Sequence, residues 1–269
     1  MSNPSRGLNE DAVDQAVRDA ATVVLLREAQ AGIEVFMLRR GGSTTVMNDA
    51  YVFPGGKVDA ADADAPAVLR FGQPVDAARA LGESDLSDAQ ATALYVAACR
   101  ETEEETGVFL RTDALTPMSR WITPKVPAMM RRRFDTRFFA AALPEGATPV
   151  HDGTEADDSE WFTPRAALQA CHDARIALAP PQIMTLAGLA AYRHLADLMA
   201  DLRRRVPSLI EPFPFKDPES GDRAVAYPGD PLHPVKERAM RGPTRMVWRE
   251  NHFEPPGGFE AFFSAADLG

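Results

Sequence analysis

Cysteine is scarce, with only Cys99 and Cys171 in 269 residues. That excludes a disulfide framework and a four-cysteine zinc site. It fits a reducing compartment, so a cytoplasmic location is expected. Positive charge is also in deficit: 29 Lys and Arg face 39 Asp and Glu, for a net charge of −10. A chain so acidic is a poor nonspecific binder of nucleic acid or anionic membrane, both of which attract basic surfaces. No apolar run approaches the roughly 18 residues of a membrane span; the longest, 23–26 and 183–191, are short. The N-terminal residues are polar and lack the apolar centre of a signal peptide. Five histidines (151, 172, 194, 233 and 252) are scattered without ligand spacing and read as incidental. Phosphate-binding G-x-x-x-x-G-K-[ST], dinucleotide G-x-G-x-x-G, zinc H-E-x-x-H and nucleophile G-x-S-x-G patterns are all missing. The acidic excess is left to explain, either as plain solubility or as a site for a cation.

What the chain does have is a hydrophobic fraction of 45%, enough for a sizeable core. Residues 1–19 read as a polar leader. Runs 21–26 and 33–38 read as a β-hairpin, followed by a loop over 41–49. A short strand at 51–53 leads into Pro54-Gly55-Gly56. An Ala/Asp-rich stretch over 59–86 allows short helices. Ser87 and Gln90 form a capping-box pattern, predicting a helix from about Asp88 to Thr106 with Gly107 as its stop. Strands are expected over 133–143 and 160–162. Thr163-Pro164 opens a helix, and a longer one is expected from Pro181 to about Arg205. Ten of the 22 prolines fall in 207–269, so the tail is expected to be mostly irregular. Strands, helix, strands, then helices suggest an α+β fold or an α/β/α sandwich.

The densest chemistry lies in Arg100-Glu101-Thr102-Glu103-Glu104-Glu105-Thr106-Gly107-Val108. On a helix Glu101, Glu104 and Glu105 stand at i, i+3 and i+4 and share one face, while Glu103 points away. Three like charges on a face repel, and a divalent cation reverses that sign. All-oxygen ligands suit a hard ion, Mg²⁺ or Mn²⁺. Taken alone, E-x-x-E-E more often describes a solvated acidic face.

The context favours the metal. With Gly56 before the helix and Gly107 after it, the sequence resembles the Nudix hydrolases, whose signature is G-x5-E-x7-R-E-U-x-E-E-x-G-U, with U a bulky aliphatic. Asp62 stands where the family has Glu, and Thr102 where it has an aliphatic residue. Residues 63–99 separate Asp62 from Arg100 where the signature has seven, an insertion of about 63–92. The split box, Trp121-Ile122-Thr123-Pro124, the run 132–139 and Pro180-Pro181-Gln182 resemble one branch of the family. That branch includes the mammalian peroxisomal coenzyme A diphosphatase and its bacterial relatives.

The resemblance implies a Nudix fold, an α/β/α sandwich with a mixed sheet over 20–205, and a Pro-rich extension, 206–269, packed on that domain. It implies metal ligation by Glu101, Glu104, Glu105 and the Gly56 carbonyl. Glu101 is alternatively the group that activates water, and Glu155 is a further catalytic acid, with Asp157, Asp158 and Glu160 as rivals. Arg100 and Asp62 would support the site structurally. Arg39, Arg40 and the cluster 131–133, Arg133 in particular, are candidate phosphate ligands. Phe134 and Trp121 are candidates for stacking on a base, against ordinary core packing. Pro180-Pro181-Gln182 would line the pantetheine or acyl end. The implied reaction is hydrolysis of a diphosphate, with coenzyme A or acyl-CoA favoured over ADP-ribose, nucleotide sugars and dinucleotides. The implied partner is that small molecule, with a homodimer also allowed. A Nudix-fold sensor without turnover is the reading from another class.

Overall fold

The computed structural model describes residues 12–41, 50–126, 132–218 and 220–264. All of the expected loop over 41–49 except Gly41, and most of the leader, therefore lie outside the described residues. Strands β1 (Arg18–Ala29) and β2 (Gly32–Arg40) form the expected hairpin. They pair only where Leu26–Ala29 faces Gly32–Val35. Beyond that the two strands part and the chain re-enters between them. Strand β3 (Tyr51–Val52) pairs with β2 at Leu38 and Arg39, and β4 (Gly55–Lys57) pairs with β1 at Ala20–Thr22. Pro54-Gly55-Gly56 is thus wedged into the open end of the hairpin. The main sheet is completed by β5 (Thr116–Ile122), β6 (Phe134–Ala142), β7 (Ala156–Phe162) and β8 (Ser208–Ile210), in the order β3-β2-β1-β6-β5-β8 with β7 beside β2. The β1–β6 and β5–β8 pairings are parallel and the others antiparallel, so the sheet is mixed.

Both faces of this sheet are covered, and the strand sequences show it. Ala21, Val23 and Leu25 of β1 enter one core with Phe36, Leu38, Phe139 and Ala141. Val24 and Leu26 enter the other with Val35, Met37, Phe138 and Ala140. The two-residue period sends alternate side chains to opposite faces, and burial on both faces explains why the runs are apolar throughout.

One face is covered by α3 (Asp88–Thr106). Its start is fixed by the Ser87–Gln90 capping box and its end by Gly107 in the left-handed conformation, φ +70°. Residues 91–99 of this helix are all buried, so it needs a second cover on its outer side. The insertion supplies it: a 3-10 turn (Ala60–Ala63), α1 (Ala65–Phe71) and α2 (Ala77–Leu81) bring Phe71, Ala77 and Leu81 into the α3 core.

The other face carries α4 (Pro164–His172), α5 (Pro180–Leu189) and α6 (Leu195–Arg204). Thr163 caps α4 as expected. The single long helix expected from 181 to 205 is instead two. The Leu195 N–H donates to the carboxylate of Glu28 at the end of β1, and His194 contacts the same group. A strand end thereby supplies the cap for a new helix where the first one stops.

Most of the described tail is irregular, as expected, but it also carries short strands that the sequence reading did not place. It holds β8 and a four-stranded antiparallel sheet of β9 (Phe213–Lys216), β10 (Arg223–Ala226), β11 (Arg245–Arg249) and β12 (His252–Glu254). Pro214 sits in β9, at the sheet edge, where a missing N–H is tolerated. Val225, Tyr227, Met246, Trp248 and Phe253 share one buried cluster with the main sheet. No helix among the described residues is long and apolar enough to cross a membrane.

The insertion is also tied to the sheet by charge. Arg137 of β6, only 3% exposed, donates to Glu83 at 3.0 and 2.7 Å and pairs with Asp19 and Asp135. Arg120 reaches Glu83 at 2.8 Å. Glu103 meets Arg70 of α1 on a more exposed surface. Removing one partner of a buried pair strands the other charge, whereas exposed pairs contribute little. Urea unfolding should therefore show a loss of about 3 kcal/mol for Glu83→Ala and less than about 1 kcal/mol for Glu103→Ala.

Candidate active site

The last two turns of α3 present Glu101, Glu104 and Glu105 toward the wedge formed by β3 and β4. Arg100 holds the two together. Its Nε and Nη2 donate to the two oxygens of Asp62 at 2.8 and 3.0 Å, and Nη2 also donates to the Lys57 carbonyl at 3.0 Å. Asp62 is 1% exposed and its Oδ2 also accepts from the Asp59 N–H at 2.8 Å. The shorter acid in place of glutamate thus still reaches the guanidinium, because the 3-10 turn carries it there. The Asp62 hydrogen bonds are the largest cause of the raised Arg100 pKa, so its charge is fixed at any ordinary pH. Arg100 Nη1 also donates to Glu101 at 2.9 Å and to Glu104 at 3.1 Å.

Gly56 packs directly against Glu101, and a Cβ there would overlap the carboxylate. The neighbouring Gly55 N–H donates to Glu105 at 2.9 Å. Thr102 fills its aliphatic position by turning its hydroxyl back to the Ala98 carbonyl at 2.7 Å, so no polar atom is stranded in the core. Cys99 is fully buried on the same helix, and burial pushes its thiol up to about 12.

The carboxylates are crowded. Burial, with Glu101 and Glu155 adding to it, pushes the Glu105 pKa up to about 7 against the Gly55 hydrogen bond and Arg40. Burial likewise raises Glu101, with Glu104 and Glu155 adding to the effect against Arg100. Such repulsion within a half-buried pocket is relieved by a cation, and an all-oxygen set beside a glycine cradle fits a small hard one.

The loop acids separate clearly. Asp157 and Asp158 are engaged by Arg39 at 2.8 and 3.5 Å, and Asp158 also meets the Tyr51 hydroxyl. Glu155, just before β7, is the loop acid whose field reaches both Glu101 and Glu105. The two arginines ending β2 separate as well. A register shift between them sends Arg39 to the aspartates, whereas Arg40 lies near Glu105 and lines a cleft.

That cleft runs from Arg40 along Phe134, Thr136 and Phe138 to Pro180, Pro181 and Gln182. Phe134 is therefore on its wall. Trp121 also borders it but is mainly a core residue, 4% exposed against Phe138 and Tyr227. Arg133 instead braces the neighbouring loop through the Thr123 carbonyl at 3.1 Å; Arg131 lies outside the described residues. The cleft has a contribution that no local signal announced: Pro212, Pro214 and Val225 from the tail. These residues reach it only through the tertiary return of the chain.

The chain is similar to several known proteins. A family model described as the NUDT19 Nudix domain matches residues 111–189. The chain is similar to "Putative nudix hydrolase 7" of Caenorhabditis elegans, 24% identical over 87% of this chain and 80% of the relative. It is 24% identical to the acyl-coenzyme A diphosphatase NUDT19 of Xenopus laevis, over 75% of this chain and 71% of that one. Among solved structures, a NUDIX hydrolase from Alicyclobacillus acidocaldarius superposes with a TM-score of 0.57 at 26% identity, covering 70% of this chain and 97% of that one.

The Glu105 environment predicts a pH effect. The unfolded carboxyl ionises near 4.5 and the folded one near 7. Between these values the folded chain holds the extra proton, so stability falls as pH rises. In metal-free protein, urea titrations from pH 5 to 8 should show a decline on the order of 1–3 kcal/mol from this group. Glu105→Gln should flatten the difference, and saturating Mg²⁺ should restore stability in the upper range.

Proposed function

The chain belongs to the Nudix hydrolase superfamily, and from that premise we propose that its substrate is coenzyme A or an acyl-CoA. Water would attack one phosphorus of the diphosphate, a P–O bond of the bridge would break, and the products would be 3′,5′-ADP and (acyl-)phosphopantetheine. The observation that carries this reading is the contiguity of two unlike surfaces. The glutamate cluster gives way through Arg40 to a cleft walled by Phe134, Phe138 and prolines from two parts of the chain. A diphosphate with a long, partly apolar arm matches that sequence of surfaces; a short nucleotide sugar uses only the first. The names of the similar proteins support the same choice.

In this reading Glu101, Glu104, Glu105 and the Gly56 carbonyl hold Mg²⁺ or Mn²⁺. Such an ion would supply charge neutralisation on the phosphates and ease loss of a proton from the attacking water. Glu155 receives the water's proton, and its proximity to Glu101 and Glu105 supports this assignment over Asp157, Asp158 and Glu160. Glu101, crowded against Gly56, orients that water or completes the ion's ligand set. Arg40 offers its planar fork to the phosphates. Arg100 and Asp62 do no chemistry; they keep the Gly55-Gly56 loop against α3. The extension from 206 onward acts as part of the substrate wall, through Pro212, Pro214 and Val225.

Glu104→Gln should lower Mg²⁺-dependent turnover by at least about 100-fold with an unchanged circular dichroism spectrum; full activity would remove Glu104 from the metal set. A panel of coenzyme A, acyl-CoAs, ADP-ribose, nucleotide sugars and dinucleotides, read by mass spectrometry, should give the highest kcat/KM for the first two. Preference for ADP-ribose or a dinucleotide would replace the substrate. Binding without hydrolysis of any of them would favour a sensor.

A further inference from the structure

The histidines expected to be incidental include two that the fold brings together. His172 ends α4, and His252 stands with Glu254 on β12, where i and i+2 residues share a face. One ligand atom from each of these three side chains lies within 4.8 Å of the other two. Glu254 Oε2 is 3.8 Å from His172 Nδ1 and 3.6 Å from His252 Nε2. The imidazole planes are nearly perpendicular, at 86° with centroids 5.3 Å apart, so the rings meet edge to face.

These nitrogens are also unsatisfied. His172 Nδ1 and His252 Nε2 are both buried without a hydrogen-bond partner, and a buried polar atom left so is destabilising. The rest of each group is directed elsewhere. His252 Nδ1 faces the Glu250 carbonyl at 3.4 Å, which favours a proton on Nδ1 and a lone pair on Nε2. Glu254 Oε1 faces Arg249 at 3.5 Å, leaving Oε2 turned toward the imidazoles. Leu168, Ile183, Phe253 and Phe262 line the adjoining space, and His172 remains 35% exposed, giving an entry path.

We infer that His172, His252 and Glu254 form a second metal site that takes Zn²⁺. Two neutral imidazoles and one carboxylate are a zinc donor set, unlike the all-oxygen set on α3. In tetrahedral geometry, ligand atoms bound at the usual lengths stand about 3.3 Å apart; the two imidazole–carboxylate separations, 3.8 and 3.6 Å, exceed this by a few tenths of an ångström, and the imidazole nitrogens, within 4.8 Å of each other, would draw together on the ion. A water completes the fourth position from the exposed side. The site lies in the layer on the opposite face of the sheet from α3. It joins α4 to the last hairpin of the tail, so the ion clasps the extension to the domain and is separate from catalysis.

The test is isothermal titration of Zn²⁺ into the full-length, chelator-treated, tag-free protein, with excess Mg²⁺ present to occupy the α3 carboxylates. Wild type should bind one equivalent and gain melting temperature. His172→Gln and Glu254→Gln, both partly exposed and with folding checked by circular dichroism, should each bind at least about tenfold more weakly and lose the thermal gain. Glu104→Gln should keep both. Absence of saturable Zn²⁺ binding, or equal binding in the two ligand variants, would overturn the site.

Discussion

The Arg100–Asp62 pair is the contact on which the rest of the candidate site depends. It is a two-point hydrogen bond between a half-buried guanidinium and a buried carboxylate. One guanidinium fixes Asp62, the Lys57 carbonyl, Glu101 and Glu104 at once. It sets where the Gly55-Gly56 loop stands relative to α3. A lysine could not do this, because the task needs a planar fork with several donors at fixed angles. The geometry explains why an aspartate suffices. What the pair requires is a carboxylate at that point in space, and the 3-10 turn at Ala60–Ala63 delivers the shorter side chain.

The same physical demand, that every apolar face be covered, accounts for the length of the chain. The strands carry apolar residues on both sides, so layers are needed on both faces. Helix α3 is buried all round over residues 91–99 and needs a further layer, which the insertion provides. The insertion is therefore structural at its base, with Phe71 and Leu81 in the core and Glu83 holding Arg137. The tail plays the corresponding part on the opposite face, where Tyr227 and Trp248 join the main cluster. Unlike the insertion, it also supplies residues to the cleft.

The local features were the ones the sequence made legible. Ser87, Gln90 and Gly107 predicted the bounds of α3, and Thr163-Pro164 the start of α4, because caps act within a few residues. The three-glutamate face followed from helical spacing alone. Features made by tertiary return were hidden. The break between α5 and α6 depends on Glu28, far away in β1. The strands of the tail were masked by prolines that are tolerated at sheet edges. The juxtaposition of His172 with His252 joins residues eighty positions apart, which no spacing rule connects. Among the loop acids, the spacing to Trp161 favoured Glu155 with Asp157, Asp158 and Glu160 as rivals; the structure adds that both aspartates engage Arg39, while Glu155 lies near Glu101 and Glu105.

The central claim is that water attacks phosphorus in a diphosphate held between the glutamate cluster and the cleft. Hydrolysis of an acyl-CoA in ¹⁸O-water, with mass spectrometry of all products, tests it most directly. The account predicts one ¹⁸O in a phosphate of either 3′,5′-ADP or acyl-phosphopantetheine, only when Mg²⁺ or Mn²⁺ is present, with the thioester intact. Label in a released fatty acid with coenzyme A left whole would contradict it.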